Sequence, residues 1–182
     1  MEIKISNDEL KANRPTLEEV KKMNRLPISI LVENIRSVHN VGAIFRTADG
    51  FGAEKVWLTG YTAFPPRDDL AKVALGAEES VPWEHFKNPL EAAKKIKSLG
   101  IKLVGIEQSV RSVNIHEYKW KFPCCFILGN EVSGVSDELL NLAEDHVEIP
   151  MFGIKQSLNV SVAGGVIGYE VTRVYHNQFR LN

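Results

Sequence analysis

An arginine within an amphipathic helical pattern is the first residue whose position suggests chemistry. In residues 40–51, apolar side chains recur at helical spacing and predict one buried face, so Arg46 points away from the core. Gly42 lies one turn earlier and predicts an open ledge beside the guanidinium. A solvated Arg46 paired with Asp49 or Asp68 fits the same pattern, so this segment leaves a functional and a purely solvated arginine equally open.

A glycine-containing turn is the second candidate for chemistry. The sequence GNEVSG at residues 129–134 follows the apolar run 122–128 and leads into the next helical pattern. Such a turn exposes backbone amides and lets a ligand approach the main chain closely. Any tight strand-to-helix turn has a similar composition, and Glu131 also fits a partner for a helix dipole. The spacing matches neither the dinucleotide fingerprint nor the P-loop, so neither fold is indicated.

The third candidate is a long apolar helical pattern near the C-terminus. Residues 157–159, with the sequence Ser-Leu-Asn, open this pattern, which is apolar almost all round and predicts a buried helix. Three of its glycines would each cost about 1 kcal/mol relative to alanine in a helix interior. We therefore expect another backbone, such as that of a dimer partner, to pack closely against Gly164, Gly165 and Gly168. The uncharged part is shorter than the roughly 20 residues of a membrane span, so no membrane association is expected.

Short apolar runs and helical patterns alternate along the chain and would position these three segments. The runs predict strands at residues 28–32, 55–58, 101–106, 122–128 and 146–149. The helical patterns lie at residues 40–51, 89–99, 136–143 and 158–178. This alternation predicts an α/β fold with a mostly parallel sheet and flanking helices. Because ligands bind beyond the carboxyl ends of parallel strands, we expect the site after Val32, Ile106, Leu128 and Ile149.

Length and charge limit the domain organisation and the partners. The 182 residues fit one domain at 27–182 preceded by a helical appendage at 1–26, in which Thr16 is the expected N-cap of a helix. The formal net charge of −1 excludes a strongly basic protein, so any contact with RNA must be local. Cationic candidates for such a contact are Lys11, Arg14, Lys21, Lys22, Arg25 and Arg36.

Several residue types argue against other classes of site. Cys124 and Cys125 are adjacent within an apolar run, which predicts core thiols in a reducing compartment. The first ten residues lack the apolar stretch of a secretory signal, so the cytoplasm is the expected location. The 5 histidines are scattered singly, and no metal site is expected. Ser157 lacks the surroundings of a hydrolase nucleophile and is interpreted as a helix cap or a substrate contact.

Taken together, the segments resemble the SpoU branch of the SPOUT superfamily, whose members are S-adenosylmethionine-dependent RNA ribose 2′-O-methyltransferases. The resembling motifs are residues 40–48 (NVGAIFRTA), 126–134 (FILGNEVSG), and 149–151 (IPM) followed by 157–159 (SLN). Residues 72–78 (KVALGAE) also resemble a stretch that is common in this branch. Three motifs in the correct order are specific, and the resemblance covers about residues 27 to 175.

The resemblance implies a SPOUT-type fold with a trefoil knot in the carboxyl half, a rare exception to ordinary chain topology. It also implies an obligate homodimer whose interface includes the long C-terminal helix. S-adenosylmethionine would lie bent within the knot. The cofactor-binding residues implied by the resemblance are Glu107, Gly129, Ile149, Met151 and Leu158.

The resemblance makes Arg46 the expected catalytic residue, oriented together with the ribose by Asn40, Glu131, Ser157 and Asn159. Methyl transfer requires the ribose oxygen to lie in line with the methyl group. Since a guanidinium keeps its proton near neutrality, we expect Arg46 to hold the adjacent RNA phosphate and to stabilise developing alkoxide charge, whether or not it removes the proton.

The expected substrate is tRNA rather than rRNA, because the sequence carries no sizeable extra RNA-binding domain. A catalytically silent RNA-binding or assembly protein with the same fold is an alternative, and the intact motifs argue against it. A base methyltransferase from another SPOUT branch is a further alternative. The combination of Arg46 with residues 157–159 argues against that assignment.

Overall fold

The computed structural model of the chain describes residues 4–179 and shows an α/β fold built on a seven-stranded sheet. The strands are β1 (Leu26–Glu33), β2 (Ala53–Thr59), β3 (Trp83–Phe86), β4 (Lys102–Ile106), β5 (Val113–Asn114), β6 (Cys124–Leu128) and β7 (Asp145–Glu148). The helices are α1 (Asn7–Ala12), α2 (Leu17–Lys22), α3 (Val38–Phe51), α4 (Asp68–Ala74), α5 (Ala77–Ser80), α6 (Pro89–Ser98), α7 (Asp137–Leu142) and α8 (Val160–Gln178).

All strand pairs in the sheet are parallel, and their spatial order is β3-β2-β1-β6-β4-β7-β5. This confirms the predicted α/β class with a parallel sheet. The trefoil knot stays a prediction, because strand order and pairing do not specify how the chain is threaded. The division of the chain at residue 26 also stays a prediction.

The central strands are apolar on both faces because helices cover both sides of the sheet. Neighbouring residues of β1 therefore enter different core layers. Ile30 lies in the layer that contains Phe45 of α3 and Ile167 of α8. Leu31 lies in the opposite layer, together with Ile96 of α6 and other residues of that helix. This two-sided burial explains why strands such as β6 read as continuous apolar runs.

Two glycines allow α8 to pack directly on side chains of the same chain. A Cβ atom on Gly168 would lie 2.4 Å from Cε1 of Phe51, and one on Gly164 would lie 3.0 Å from Cδ1 of Leu128. The expectation that another backbone packs against these glycines was wrong, because side chains of α3 and β6 fill the space. For Gly165, the nearest atom to a Cβ would lie at an ordinary contact distance of 3.9 Å.

The other face of α8 is exposed in the single chain. Val162, Val166 and Tyr169 are 51%, 39% and 57% exposed. Their spacing places them on one face of the helix, and we call this surface the α8 stripe. The prediction of a helix buried all round is therefore not met within one chain.

The buried face predicted for α3 is confirmed. Its buried residues include Val41, Ile44, Phe45, Ala48 and Phe51. Gly42 is buried as well, because a Cβ atom at this position would lie 2.7 Å from Cβ of Val73. The predicted open ledge beside Arg46 was wrong, since α4 packs against that part of α3.

The five predicted strands and the four predicted helices all form, with ends that differ by a few residues. The pattern did not predict β3, whose four residues are all half-buried, or β5, which has two residues. It also missed the short helices α1, α4 and α5. These elements lack the long apolar periodicity that distinguishes a core element from a loop.

The appendage contains two short helices that bury no residue. Thr16 is the N-cap of α2, as predicted, and its hydroxyl accepts a hydrogen bond from the amide of Glu19 at 3.3 Å. Arg25 was a candidate for RNA contact, but its guanidinium is engaged within the chain, where it donates to the carbonyl oxygens of Ala53 and Ser80. This arginine fixes the entry to β1, so its role is structural. No helix within residues 4–179 is long and apolar enough to cross a membrane.

The reactivity of Cys124 and Cys125 provides a test of how β6 is packed. Burial raises the pKa of the Cys124 thiol and raises that of Cys125 to about 12. Because the thiolate is the reactive form, we expect neither residue of the native protein to be alkylated by iodoacetamide at about pH 8. Mass spectrometry of native protein and of protein unfolded in guanidinium measures this. Alkylation of the native protein at the rate of the unfolded chain would contradict the buried placement.

Candidate functional site

A cleft of about 750 Å³ opens where β4, β6 and β7 end at the carboxyl edge of the sheet. The volume is within the range of about 300–1,000 Å³ that is usual for small-molecule sites. Its wall includes all five predicted cofactor-binding residues, Glu107, Gly129, Ile149, Met151 and Leu158. It also includes the predicted Glu131, Ser157 and Asn159. The expectation that the segments after Ile106, Leu128 and Ile149 come together is confirmed, whereas the segment after Val32 is not part of the wall and only contacts it through Asn130 and Glu131.

The turn after β6 is closed so tightly that its first residue must be glycine. A Cβ atom on Gly129 would lie 2.1 Å from the carbonyl carbon of Gly134. The amide of Asn130 donates to the carbonyl of Gly134 at 2.9 Å, and the reverse hydrogen bond has the same length. Gly134 has a φ of +70°, which also favours glycine. The cleft is therefore bounded here by main chain rather than by side chains.

Two carboxylates, at the ends of the strands on either side of β6, hold the far end of this turn. Glu107 accepts hydrogen bonds from the amides of Val135 and Gln108, each at 2.9 Å. Glu33 is 3% exposed and accepts from the amide of Ser136 at 2.9 Å. Glu107 thus positions the turn as well as lining the cleft. The sequence analysis missed Glu33, because its position at the end of an apolar strand gave no sign of a partner about a hundred residues away.

Asn130 connects the turn to the neighbouring strands. Its side-chain amide donates to the carbonyl of Asn34 at 2.7 Å and to the phenol oxygen of Tyr61 at 2.8 Å. Its side-chain oxygen accepts from the amides of Val132 and Ser133 at 2.9 Å and 3.1 Å. All the polar atoms of this side chain therefore shape the turn, and the sequence motif had given no role to Asn130.

Glu131 extends from the turn to the start of α3. Its carboxylate accepts from the amides of Arg36 and Ser37 at 3.0 Å and 3.1 Å, and from the side-chain amide of Asn40 at 2.9 Å. Partial burial opposes ionisation, but these hydrogen bonds outweigh it and leave the pKa of Glu131 below its usual value. The sequence suggested that Glu131 interacts with a helix dipole. The helix it contacts is α3, and not α7, which follows the turn.

Asn40 continues this connection to α8. Its side-chain oxygen accepts from the side-chain amide of Asn159 at 3.1 Å, and Asn159 accepts from the amide of Ser161 at 2.9 Å as the N-cap of α8. Glu131, Asn40 and Asn159 therefore form one hydrogen-bonded chain, which we call the carboxylate–amide chain. Ser157 precedes the cap and lines the cleft. Of its two interpretations, the helix cap is excluded, because Asn159 takes that position.

Arg46 is the predicted site residue that lies apart from the others. It is exposed on α3 and is not part of the wall of the cleft. It forms no ion pair with any side chain in residues 4–179. Arg46 is six positions after Asn40 on α3, which corresponds to about 9 Å along the helix axis and places the two side chains on different faces. Within one chain, the structure therefore assembles the cleft without the guanidinium.

The charge of the cleft is negative. Its wall contains four carboxylate residues, Glu107, Glu131, Asp137 and Glu148. None of the described residues that form this wall is a lysine, arginine or histidine. Within residues 4–179, no group of three or more His, Cys, Asp or Glu side chains is arranged to hold a metal ion. The cleft thus favours a ligand with positive charge over a polyphosphate.

Comparisons with known proteins agree with this geometry. Residues 27–169 match the SpoU rRNA Methylase family. The chain is 34% identical over 174 residues to a tRNA (guanosine(18)-2′-O)-methyltransferase of Aquifex aeolicus, covering 95% of this chain and 80% of that protein. The crystal structure of the A. aeolicus TrmH/SpoU tRNA modifying enzyme aligns with a TM-score of 0.79 at 31% identity, covering 94% of this chain and 84% of that one.

A second solved structure bears on the ligand. The SpoU methyltransferase AviRb from Streptomyces viridochromogenes, in complex with the cofactor AdoMet, aligns with a TM-score of 0.77 at 25% identity. The alignment covers 86% of this chain and 63% of AviRb. The cofactor expected from the sequence motifs is the one bound in that structure.

These comparisons, together with the parallel sheet and the cleft beyond the carboxyl ends of its strands, define the class of the protein as an RNA methyltransferase. Within that class, the chain belongs to the SpoU methylase family, which confirms the resemblance.

Replacement of Glu131 tests the carboxylate–amide chain. Glu131→Gln removes the charge at the start of α3, and we expect the free energy of unfolding to fall by about 1 kcal/mol near neutral pH. Because the native pKa of Glu131 is lowered, its contribution is present above the ordinary glutamate range and is lost as the pH falls through the lowered value. Urea denaturation at neutral and acidic pH measures the difference between variant and wild type.

Glu117→Gln, at an exposed glutamate outside the site, serves as the control and is expected to change stability little. A deficit for Glu131→Gln that is the same at neutral and acidic pH would contradict the placement of this charge.

Proposed function

We propose that this chain transfers a methyl group from S-adenosylmethionine to a ribose 2′-hydroxyl of tRNA in the cytoplasm. The observation that carries the proposal is the acidic cleft at the carboxyl edge of the sheet, with the tight turn of Gly129 and Gly134 in its wall. The family to which the chain belongs and the name of its A. aeolicus relative support the reaction and the substrate.

The residues of the cleft fit this cofactor. Bound S-adenosylmethionine supplies a methyl group on a positively charged sulfur, and a cleft lined by carboxylates stabilises such a charge. The main chain at Gly129 and the side chains of Ile149, Met151 and Leu158 provide a surface for the adenosine and methionine parts. Glu107 lines the same wall and is available to a ribose hydroxyl through the acceptor capacity of its carboxylate.

The carboxylate–amide chain fixes the side of the cleft at which RNA enters. The side-chain amide of Asn159 donates to the side-chain oxygen of Asn40, whose own amide donates to Glu131, so both side chains are oriented before substrate arrives. Ser157 is exposed beside them with a hydroxyl that suits a ribose contact. This preorganisation would keep the ribose oxygen in line with the methyl group, and such positioning supplies much of the rate enhancement.

The guanidinium required at this site would come from a second copy of the chain. A Cβ atom on Gly50, one helical turn after Arg46, would lie 3.1 Å from the phenol oxygen of Tyr169 in the α8 stripe. Arg46 therefore borders an exposed apolar surface of the kind that homodimers bury. Leu158 is 37% exposed, lines the cleft, and precedes the N-cap of the helix that carries the stripe. Two copies that bury their α8 stripes would each present Arg46 to the cleft of the other.

In this arrangement, Arg46 binds the phosphate beside the reacting ribose and stabilises negative charge as it develops on the 2′-oxygen. The acidic cleft and the basic guanidinium then belong to different chains, so neither neutralises the other in the isolated protomer.

The family description favours rRNA as a second candidate substrate.

Substitution of Arg46 tests the reaction. Arg46→Ala is expected to abolish methyl transfer from tritiated S-adenosylmethionine to unmodified tRNA transcripts, while calorimetry gives a cofactor Kd within about twofold of wild type. Lys94→Ala, at an exposed lysine of α6, is the matched control and is expected to retain activity. Parallel assays with rRNA transcripts decide between the two substrates. Wild-type protein that methylates neither RNA would refute the proposed function.

Mixed dimers test whether Arg46 acts across the interface. Arg46→Ala leaves the cleft intact, whereas Met151→Arg fills it and repels the positive sulfur. If Arg46 acts on the partner's cleft, a co-refolded equal mixture of these two inactive variants recovers about a quarter of wild-type activity, because half of the dimers are mixed and each has one complete site. If Arg46 acts in its own chain, every combination stays inactive. Light scattering establishes that the variants are dimers.

A further inference from the structure

Two exposed aromatic side chains lie in the loop after β2, at the same edge of the sheet as the cleft. Tyr61 is 62% exposed and Phe64 is 41% exposed. Exposed aromatic side chains beside a ligand cleft are available for contact with a ligand that extends out of it. We call the surface formed by Tyr61 and Phe64 the aromatic platform.

The loop that carries the platform is held in one conformation. The amide of Tyr61 donates to the side chain of Asn34 at 3.3 Å. The hydroxyl of Thr62 is buried, accepts from the amide of Ile35 at 2.9 Å, and donates to the carbonyl of Val32. The two rings are therefore presented with little conformational entropy left to lose on binding.

Phe64 is supported from behind by another ring. Its centroid lies 4.1 Å from that of His85, with an angle of 24° between the planes. The imidazole of His85 is fixed in turn by a 3.0 Å hydrogen bond with the carbonyl of Gly60. Because Phe64 remains exposed in spite of this stacking, it still offers ring surface to a third planar group.

The platform is joined to the cleft through one side chain. Asn130, which lines the cleft, donates to the phenol oxygen of Tyr61 at 2.8 Å and to the carbonyl of Asn34. Arg36 follows on the same segment and is exposed, and its amide binds Glu131 of the cleft wall. The segment that contacts both Asn130 and Glu131 of the cleft wall therefore also carries an exposed cation.

We propose that the aromatic platform stacks the unpaired base of a nucleotide that neighbours the methylated one in the RNA. This rests on the proposed function, and it identifies the part of the substrate that is held outside the cleft. Stacking on aromatic rings next to a cationic group is the usual way in which proteins hold unpaired bases. A protein partner docked on the same rings would contact Tyr61 next to Asn130 of the cleft wall and would compete there with the RNA substrate.

The platform also links RNA binding to the cofactor turn. The hydroxyl of Tyr61 accepts from the same Asn130 side chain whose oxygen holds the amides of Val132 and Ser133. Tyr61 has two separable parts in this scheme. Its ring binds the base, and its hydroxyl positions the turn that lines the cleft.

Paired substitutions separate these parts. Tyr61→Leu and Phe64→Leu remove a ring, and each is expected to raise the KM for tRNA roughly five- to hundredfold with little change in kcat. Tyr61→Phe and Phe64→Tyr keep the ring and are expected to retain a KM near that of wild type. Tyr61→Phe should instead weaken cofactor binding a few-fold in calorimetry, because Asn130 loses a partner.

Phe179→Leu is the matched control, because it removes an exposed aromatic ring at the end of α8 away from the cleft. Its KM is expected to stay at the wild-type value. Circular dichroism melting establishes that each variant is folded, and the two positions are independent, so one unfolded variant leaves the other as the test.

A direct measurement of RNA binding tests the aromatic platform independently of the methyl-transfer reaction. Fluorescence anisotropy with a labelled single-stranded oligoribonucleotide of mixed sequence measures stacking without any methyl transfer. Lower affinity for both leucine variants and wild-type affinity for the aromatic variants would support the platform even if no tRNA were methylated. If folded leucine variants bind the oligoribonucleotide as wild type does and keep the wild-type KM, the proposal is wrong.

Discussion

The carboxylate of Glu131 at the start of α3 is the interaction on which the arrangement of the site depends. It joins the turn after β6 to α3, and through Asn40 to the cap of α8 at Asn159. Without it, two backbone amides at the start of α3 would lose their partner, and such amides are costly to leave unsatisfied. One side chain thus sets the relative position of three segments that are far apart in the sequence.

Charge in this protein is separated rather than absent. The formal net charge of −1 gives no hint of a nucleic-acid partner, yet the wall of the cleft is acidic while Arg36 and Arg46 stand exposed outside it. A cofactor with positive charge and a polyanionic RNA need opposite surroundings within one site. An acidic cleft and arginines outside it separate these charges, and composition averages the two to nearly zero.

The sequence predicts this fold where burial imposes a period or an unbroken apolar run. The strand through Ile30 and the α3 face around Phe45 are predictable because both are buried against layers of the core. The meeting of residues 129, 149 and 158 follows from a general property of parallel sheets. By contrast, the neighbours of Gly42 and Gly168 depend on which helix packs beside them, and the local sequence does not determine that packing. Glu33, Asn130 and Tyr61 were missed for the same reason, since their partners lie in other strands and loops.

The close fit of Gly168 against Phe51 also limits how the molecule can move. At this contact α8 and α3 approach more closely than any larger side chain would allow, so one helix cannot slide along the other by a turn without steric overlap. We therefore expect Asn40 and Asn159, near the N-terminal ends of these two helices, to keep their spacing. We expect any opening of the cleft to involve instead the connection between β7 and α8, where Phe152 and Ile154 make few packing contacts because they are almost fully exposed.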